Sequence, residues 1–405
     1  MSVSIAVIGG GIGGAAATLS LLSHGIDAHL FERGDHFSEL GAGLQLSPNA
    51  TRILHSLGLE EELRTCAVEP TAWHQRRWRT GETLSSVPLS THMKMRYGYP
   101  YYHILRTDLL DALTKAIPQD RVHLGYEMTD MHQERENVEV TFSNGQTFEF
   151  DGMIGADGIR SRVRSFLFGD VTPCYSGCIA YRGLIDADRI AKLKLPTETQ
   201  VWLGPGKHLV TYYVQRHKLL NFVAVIDRPE ANDESWVMLG EVDSLRAEFS
   251  GWHPMVVDLV HAAQETFCGG IFDHQPMPCW TRGTVTLLGD ACHSMVPFMA
   301  QGAGQAIEDA AVLGRCVQAA TRGTLADCLK SYETIRRPRT QKICNIAAGL
   351  KDNLHFADGP DQMSRDQNLG SDTTSWGVGD LDWLYGYNAF SAGPPSALVT
   401  SKLTG

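Results

Sequence analysis

Three glycines near the start of the chain, Gly9, Gly11 and Gly14, are spaced as G-x-G-x-x-G between an apolar run and a helix-forming segment. In such a turn the first glycine permits a sharp bend, the second lets the backbone approach a pyrophosphate, and the third lets helix and strand pack closely. Glu32 follows roughly twenty residues on, where a carboxylate can accept a hydrogen bond from a ribose. The pattern predicts an adenine dinucleotide, FAD or NAD; the alternative is a glycine-rich turn alone.

Two later segments place an aspartate directly after a predicted buried strand. Asp157 follows the strand in MIGADGIRSRVR, and Asp290 follows TVTLLG. Ligands bind at the carboxyl ends of strands in open α/β sheets, so both aspartates are candidate ligand contacts. Farther on, Gly302 and Ala303 lie at the start of a predicted helix, whose N-terminal amides can face an anion or a carbonyl that gains negative charge.

A histidine and a tyrosine share one face of a predicted hairpin. The segment TQVWLGPGKHLVTYYVQ turns at 204–207, and period-two alternation puts His208, Val210 and Tyr212 on one face of the returning strand. An imidazole there is suited to act as a general base near neutral pH. The structural alternative is that His208 caps the hairpin and Tyr212 packs in the core.

The elements that must position these residues alternate between strands and helices. Residues 4–33 predict strand, turn, helix over 15–24 and a second strand. Residues 70–103 are predicted as sheet and loop, and 122–150 as a meander of short strands whose last turn is Asn-Gly. A strand-rich second domain is predicted over 173–280 and a helix over 325–336.

Composition limits the partners. With 405 residues and 43% hydrophobic content, the chain is predicted to be soluble and long enough for two domains. A net charge of −11 disfavours nucleic acid, and nine cysteines without a C-x-x-C pair favour the cytoplasm over a disulfide framework. The histidines lack metal-ligand spacing, so no metal is expected.

Val3 to Leu22 carries no charge and is long enough to span a membrane, but its glycines fit a phosphate turn better.

Three stretches, taken in order, resemble the motifs of the flavoprotein aromatic hydroxylases, the single-component class A monooxygenases. GGGIGG with Glu32 resembles their adenosine-phosphate turn, and GADGIRSRVR their second fingerprint, which serves FAD and the reduced nicotinamide donor. GDACHSMVPFMAQGAGQAIEDA resembles the third, in which the aspartate meets the ribityl chain. The match covers essentially the whole chain. It implies an α/β fold with a Rossmann-like FAD-binding domain of the glutathione-reductase type, an inserted β-sheet substrate domain and C-terminal helices.

The resemblance also implies a domain division and a set of cofactor contacts. The FAD-binding domain would comprise 1–70, 101–172 and 283–350, the substrate-binding domain 71–100 and 173–282, and the tail 351–405. FAD would be the cofactor, NADH or NADPH a transient electron donor, and O2 a co-substrate. The residues implied to contact FAD are Gly9, Gly11, Gly14, Glu32, Arg33, Arg106, Asp157, Gly289, Asp290, Pro297, Gly302 and Ala303.

The implied reaction is hydroxylation of a small aromatic acid or hydroxylated N-heterocycle through a flavin C4a-hydroperoxide, in aromatic compound catabolism, with decarboxylation left open. His208 would take the proton of a ring hydroxyl, and Tyr212 would orient the ring. Gln301 would hydrogen-bond the substrate, and Arg182 would bind a substrate carboxylate. For Arg182 a surface ion pair or a contact with the nicotinamide donor are open alternatives.

Within the family the chain most resembles the salicylate, 3-hydroxybenzoate and 6-hydroxynicotinate hydroxylases. HLVTY resembles the His-x-x-x-Tyr strand of the last two, and DWLYGYNAF resembles the end of the 6-hydroxynicotinate enzyme. This chain has Phe298 and Gln45 at two positions where the 6-hydroxynicotinate enzyme has histidines. The identity of the substrate therefore does not follow from the resemblance. Rival hypotheses are a halogenase or reductase of the same fold, a non-catalytic flavin-binding protein and an NAD-dependent dehydrogenase. A halogenase is disfavoured because no Trp-x-Trp-x-Ile-Pro segment is present. A monomer and a homodimer are both compatible with the sequence.

Overall fold

The computed structural model describes residues 3–37, 41–135, 137–230, 238–371 and 381–392, so the predicted tail 351–405 lies partly outside the described residues. Among these residues the strands are β1 (Ser4–Ile8), β2 (Asp27–Glu32), β3 (Gly43–Leu46), β4 (Ala72–Arg77), β5 (Thr83–Pro88), β6 (Tyr102–Leu105), β7 (Val122–Leu124), β8 (Met128–Gln133), β9 (Val138–Phe142), β10 (Thr147–Phe150), β11 (Gly152–Gly155), β12 (Cys174–Asp186), β13 (Thr199–Gly204), β14 (Lys207–Val214), β15 (Leu219–Asp227), β16 (Met238–Gly240), β17 (Thr266–Asp273), β18 (Thr281–Arg282) and β19 (Val285–Leu287). The α-helices are α1 (Ile12–Ser23), α2 (Pro48–Ser56), α3 (Glu60–Cys66), α4 (Ser90–Tyr97), α5 (Arg106–Lys115), α6 (Arg162–Phe168), α7 (Val242–Glu248), α8 (Pro254–Ala262), α9 (Asp290–His293), α10 (Gly302–Val317), α11 (Leu325–His355), α12 (Pro360–Ser371) and α13 (Asp382–Tyr385).

A parallel sheet carries the glycine turn. Its strand order is β18-β19-β11-β1-β2-β7, and every neighbouring pair is parallel except the short edge pair β18/β19. The central strand β1 is almost wholly buried, as expected for a strand covered on both faces. Helices α1 and α10 pack together beside it. The predicted α/β class with a Rossmann-like unit is therefore confirmed.

A second, mostly antiparallel sheet has the order β16-β17-β12-β15-β14-β13-β4-β5. One face packs on α7 and α8 through apolar residues such as Trp202, Phe222 and Leu259. The other face packs on α11 and on the loop after α9, through residues such as Val201 and Ile343. The predicted hairpin at 204–207 is confirmed as the β13/β14 turn. Of the predicted meander, only the hairpin β9/β10 is confirmed, in the small sheet β10-β9-β8. The predicted first strand, β7, pairs instead with β2 in the parallel sheet, and β8 was not predicted.

The structure corrects three boundaries. The helix predicted to end at Arg336 runs on to His355 with Pro338 inside it, because Arg336 and Arg339 both bind Glu308 and hold the helix across the proline. The region 70–103, predicted as sheet and loop, contains α4, which ends at Gly98 in a left-handed conformation. Helix α1 begins at Ile12 rather than 15, directly after the glycine turn.

No helix within the described ranges is both long enough and apolar enough to cross a membrane.

Candidate active site

Three predicted ligand-binding segments converge because their strands are neighbours. β1, β11 and β19 lie side by side and parallel, with Ile8 paired to Gly155 and Gly155 paired to Leu287. The segments that follow these strands therefore emerge at one edge of the sheet. That edge gathers the turn 9–11, the Asp157 segment and the Asp290 segment.

The glycine turn packs closely against its neighbours at Gly9 and Gly14 and leaves its backbone open to a ligand at Gly11. Gly9 has a φ of +108°, and a Cβ at that position would lie 2.5 Å from the carbonyl oxygen of Ala156. A Cβ on Gly14 would lie 1.9 Å from the carbonyl oxygen of Gly9. At Gly11, by contrast, a Cβ would meet no atom within 4 Å, so the backbone there faces open space. The N-cap of α1 is Gly11 without a side-chain cap, which leaves the first amides of the helix for a ligand anion.

Glu32 lies at the end of β2 and closes this turn. Its carboxylate accepts hydrogen bonds from the amides of Gly10, at 2.7 Å, and Gly34, at 2.9 Å. The turn borders a cleft of about 400 Å³. The lining residues include Gly9, Gly11, Glu32, Arg33, Asp157, Gly158 and Arg160. An open glycine backbone, a helix N-terminus and an acid in one cleft fit the adenosine and pyrophosphate of FAD.

Asp157 caps the helix that follows it. Its carboxylate accepts hydrogen bonds from the Ser161 hydroxyl at 2.5 Å and from the amides of Arg162 and Val163 at 2.7 and 3.1 Å. These contacts show how the turn is held. Contact with FAD stays a prediction, which the position of Asp157 in the cleft lining supports.

Arg164 ties two of the segments together and was not identified from the sequence. Its buried guanidinium donates to the carbonyl oxygens of Ala291 at 3.0 Å and Ile159 at 2.7 Å. It thereby joins the segment after β11 to α9, which begins at Asp290. The available signal was an arginine inside the GADGIRSRVR fingerprint, but spacing alone does not show that its side chain turns inward.

The loop between β19 and α10 carries the third set of predicted contacts. Asp290 is exposed at the start of α9, and Pro297 begins a short 3-10 turn. Ala300 has a φ of +52°, an uncommon conformation for a residue with a Cβ and typical of functional loops. Gly302 and Ala303 then form the first turn of α10, whose N-cap Gln301 makes no capping hydrogen bond with its side chain. Their amides are available to an electron-rich group.

A buried ionic network fixes this loop. Arg336 is fully buried and donates to Asp309 and Glu308, both at 2.6 Å. Asp309 also accepts from the Gly289 amide at 3.0 Å and is bonded to His293 at 2.6 Å. Sequence reasoning missed this network because its members come from distant helices. It attaches α9, α10 and α11 to one another.

The inner face of the eight-stranded sheet forms the wall of a second, apolar cavity. Its lining residues are Gln45, Trp73, Gln75, Val201, His208, Val210, Pro297, Phe298, Ala300, Leu350 and Leu354. The register explains the part of the set that comes from the sheet. Gln75, Val201 and Val210 form one paired row, and Trp73 and His208 lie two residues along their strands on the same face. The loop with the predicted flavin contacts covers one side of the cavity, and α11 covers another.

His208 lines the cavity and is 4% exposed. Its Nδ1 lies 2.7 Å from Nε2 of His355, and Nδ1 of His355 lies 2.9 Å from a carboxylate oxygen of Asp227. Burial lowers the pKa of His208 well below 6.5, and His355 adds to the shift, so the imidazole is neutral near pH 7. The ring of Phe298 contacts His208 edge to face. Sequence reasoning found His208 and missed His355 and Asp227.

Tyr212 lies on the same strand face, two residues beyond Val210. Its ring is 4.4 Å from that of His103, and its hydroxyl lies beside Gln45, whose amide oxygen accepts from Tyr101 at 2.8 Å. Burial raises the pKa of Tyr212, so the phenol keeps its proton at neutral pH. Gln45 links Tyr212 to the cavity wall.

Two further predicted substrate contacts lie in different surroundings. Arg182 is paired in register with Val223, which also pairs with Val210, so Arg182 shares the inner face of the sheet. Burial, together with the nearby charge of Arg106, lowers the pKa of Arg182. Gln301 is buried among polar groups, donating to Ser47 at 2.9 Å and accepting from Asn49 at 3.2 Å. These bonds anchor the loop to α2, and a role of Gln301 in substrate binding stays a prediction.

Known proteins match this chain over almost all of its length. A family model described as "FAD binding domain" matches residues 2–172 and 273–347. The chain is 39% identical to 3-amino-4-hydroxybenzoate 2-monooxygenase PtnB3 of Streptomyces platensis, over 96% of this chain and 97% of that one. It is 35% identical to 6-hydroxynicotinate 3-monooxygenase of Pseudomonas fluorescens, over 85% and 90%. Its fold matches the crystal structure of Klebsiella pneumoniae HpxO complexed with FAD and uric acid, with a TM-score of 0.82, 28% identity and coverage of 92% and 93%.

Proposed function

The chain belongs to the FAD-binding domain family of flavin monooxygenases, and we propose that it hydroxylates a small aromatic or N-heterocyclic acid bearing a ring hydroxyl. It is an FAD-dependent enzyme with NADH or NADPH as electron donor and O2 as co-substrate. The proposed substrate resembles 3-amino-4-hydroxybenzoate or 6-hydroxynicotinate, the compounds named for the two relatives. Both are single rings that carry a carboxylate and a hydroxyl.

The observation that carries the proposal is the position of a neutral, buried histidine in an apolar cavity beside the loop of predicted flavin contacts. The cleft that includes Gly9, Gly11 and Glu32 would hold FAD, which would supply hydride acceptance from the nicotinamide donor and activation of O2. His208 takes the proton of the substrate hydroxyl at its Nε2, because its Nδ1 is engaged by His355. Loss of that proton makes the ring more electron-rich. The apolar walls, including Val201, Phe298 and Leu354, exclude water from the reacting atoms.

The remaining polar groups would orient the ring. Gln45 lines the cavity, and Tyr212 lies beside Gln45. Arg182 and Arg106 place two positive charges beyond Tyr212, which suits a substrate carboxylate or the electron-rich edge of the flavin. Gln45 and Phe298 stand where the 6-hydroxynicotinate enzyme has histidines, so the proposal does not assume that 6-hydroxynicotinate itself is the substrate.

The organisation of the molecule follows from the same proposal. The FAD-binding unit would be 1–70, 101–172 and 283–350, and the eight-stranded sheet, built from 71–100 and 173–282, would bind substrate. All nine cysteines are free, which favours a reducing compartment such as the cytoplasm. We expect the enzyme to act as a monomer or a homodimer.

A substrate panel tests the function. The purified FAD-loaded enzyme is mixed with NADH or NADPH and with 3-amino-4-hydroxybenzoate, the hydroxybenzoates, salicylate or 6-hydroxynicotinate. We expect at least one compound to stimulate NAD(P)H oxidation and to yield a hydroxylated product by mass spectrometry, with CO2 measured to separate decarboxylation from simple hydroxylation. Oxidation that yields only hydrogen peroxide with every compound would contradict the substrate class.

A further inference from the structure

Three side chains form a line from the cavity to the protein surface. His208 lines the cavity, His355 ends α11 behind it, and Asp227 ends β15 beyond. The two contacts measure 2.7 Å between the imidazoles and 2.9 Å between His355 and the carboxylate. The side chain of His355 is 2% exposed, and that of Asp227 is 35% exposed. A buried pair of imidazoles therefore connects the cavity with a group that reaches solvent.

The carboxylate fixes the proton positions along this line. An ionised Asp227 only accepts hydrogen bonds, so Nδ1 of His355 must carry a proton and donate it. In a neutral His355, Nε2 then has a lone pair and accepts from Nδ1–H of His208. His208 is left with an unprotonated Nε2, the nitrogen available to the cavity. The line of hydrogen bonds thus prepares His208 to accept a proton.

We infer that His355 and Asp227 form a proton relay that carries the substrate-hydroxyl proton from His208 to solvent. When Nε2 of His208 takes that proton, its Nδ1 proton passes to Nε2 of His355, and the Nδ1 proton of His355 passes to Asp227. Asp227 then releases a proton to water. Each imidazole still holds one proton, now on Nε2 instead of Nδ1, and the reverse shift, which returns a proton from solvent to the product hydroxyl, restores the starting tautomers. The inference rests on the proposed function, because it takes His208 as the base. His355 and Asp227 are positioning residues, since they act through His208.

Lys351 and Cys178 flank the Asp227 carboxylate at the solvent end of the relay. The Lys351 ammonium lies 3.7 Å from that carboxylate. Burial and the neighbouring Asp227 raise the pKa of the Cys178 thiol to about 12, so Cys178 stays protonated and donates to Asp227 at 3.3 Å. Asp352 is a further charged group near His355, and it is exposed. The pKa of His355 is lowered by burial, while Asp227 opposes that shift.

The turn between β13 and β14 fixes the positions of His355 and Asp227 relative to each other. The amide of Gly206 donates to the carbonyl oxygen of His355 at 2.9 Å, and the amide of Asp227 donates to the carbonyl oxygen of Gly206 at 2.9 Å. The β13/β14 turn thereby joins the end of α11 to the end of β15. Hydrogen bonds outside the relay thus fix the backbones of both positioning residues.

The first test needs no turnover. Nitrogen NMR of the histidine-labelled, FAD-loaded enzyme reports which ring nitrogen carries the proton, and the His208→Asn and His355→Asn variants assign the signals. The relay predicts a protonated Nδ1 and an unprotonated Nε2 for both His208 and His355 near pH 7. A proton on Nε2 of His208 would overturn the relay, whether or not the enzyme accepts any compound of the panel.

The second test measures proton export during turnover with an active compound. Asp227→Asn keeps a hydrogen-bond acceptor but cannot take a proton, so we expect kcat to fall by at least about tenfold. Added imidazole buffer at constant pH should restore much of the rate, whereas the wild-type rate should not depend on buffer concentration. Asp227→Glu should retain most of the activity. A variant impaired only in folding or packing would not respond to buffer.

Asp352→Asn is the matched control, because it removes the same charge from the neighbourhood of His355 without breaking a hydrogen bond in the relay. It should leave the rate and its buffer dependence unchanged. An Asp227→Asn enzyme that turns over like the wild type, or a loss that buffer does not relieve, would overturn the relay. So would an equal loss in Asp352→Asn. If no panel compound is hydroxylated, the proposed function fails, while the NMR measurement still tests the proton positions that the relay requires.

Discussion

At the scale of single residues, the proposed mechanism depends on the imidazole of His208. Burial keeps it neutral, and its contact with His355 orients the ring. His208 has its pKa lowered because the cavity and the sheet desolvate it, and His355 opposes a positive charge on it. A neutral imidazole can act as a base without first losing a proton. Nearby Tyr212 has the opposite shift and keeps its proton, so one strand face presents a proton acceptor and a hydrogen-bond donor.

Replacing His208 should separate catalysis from cofactor binding. We expect His208→Asn to lower the rate of product formation by about 100-fold or more, because a general base is lost. Bound flavin should be unchanged, because His208 lies outside the lining of the cleft assigned to the adenosine and pyrophosphate. Product yield and flavin absorbance, measured on the same preparation, check both statements.

His92→Asn serves as the control, since His92 is exposed on α4. A His208→Asn enzyme that forms product at the wild-type rate would remove His208 from the mechanism. The site residues that could be predicted from the sequence are those whose relation is local or follows a strand period, such as His208 and Tyr212. His355 was missed because it lies 147 residues from His208 in sequence and no spacing pattern connects them.

At the scale of elements, the helices α9, α10 and α11 are joined by buried charges. Arg336 is fully buried and pairs with Glu308 and Asp309, which are buried as well. Removing one member leaves a buried charge without its partner, which strongly lowers the free energy of unfolding. Replacing the whole pair by apolar residues would change that free energy far less. The sequence motif RRPR indicated a helix end, and the tertiary ion pairs carried the helix through Pro338 instead.

Truncation of Arg336 should destabilise the packing of α9, α10 and α11. We expect Arg336→Ala to lower the free energy of unfolding by about 3–5 kcal/mol, measured by urea denaturation of the FAD-loaded enzyme. The side chain of neighbouring Arg337 donates to the carbonyl oxygen of Pro278 and is partly exposed, so Arg337→Ala should cost less than about 1 kcal/mol. Equal losses in the two variants would contradict the role given to the buried network.

The turn between β1 and α1 gives a second prediction at this scale. Gly14→Ala would place a Cβ 1.9 Å from the carbonyl oxygen of Gly9, so the turn must move. We expect the variant to purify with little bound flavin, as measured by its absorbance spectrum. Gly323→Ala is the control, because a Cβ there meets no atom within 4 Å. Full flavin content in Gly14→Ala would show that this turn does not bind the cofactor.

At the scale of the whole molecule, buried histidines link stability to pH. Burial lowers the pKa of His103 to about 3, so the folded protein binds fewer protons there than the unfolded chain does. The stability contribution is complete above pH ~6.5 and is lost as pH falls toward the folded pKa. At pH 5 the loss from His103 alone amounts to about 2 kcal/mol.

We therefore expect the wild-type protein to unfold at a lower urea concentration at pH 5 than at pH 7. His103→Phe should reduce this difference by about 2 kcal/mol, because a residue that cannot titrate replaces the histidine. The exposed His92→Asn variant should keep the wild-type difference. A pH dependence that is the same in His103→Phe and the wild type would contradict the assignment to this residue.

The parts of the architecture that could be predicted are those in which a sequence motif specifies its own local structure. The glycine turn, the Asp157 segment and the Asp290 segment were each recognisable, and the neighbouring positions of β1, β11 and β19 explain why they meet. The cavity was less predictable, because Gln45, Gln75, His208 and Leu354 come from separate elements. Their meeting depends on how the eight-stranded sheet and α11 pack, which no local pattern specifies.

The central claim is that this chain transfers oxygen from O2 to an aromatic acid with FAD bound in the cleft at the edge of the parallel sheet. The most direct measurement is turnover under isotopically labelled dioxygen with the compound that most stimulates NAD(P)H oxidation. The account predicts one labelled oxygen atom in the hydroxylated ring for each NAD(P)H consumed in coupled turnover. A product whose new oxygen comes from water, or labelled peroxide without any ring product, would contradict it.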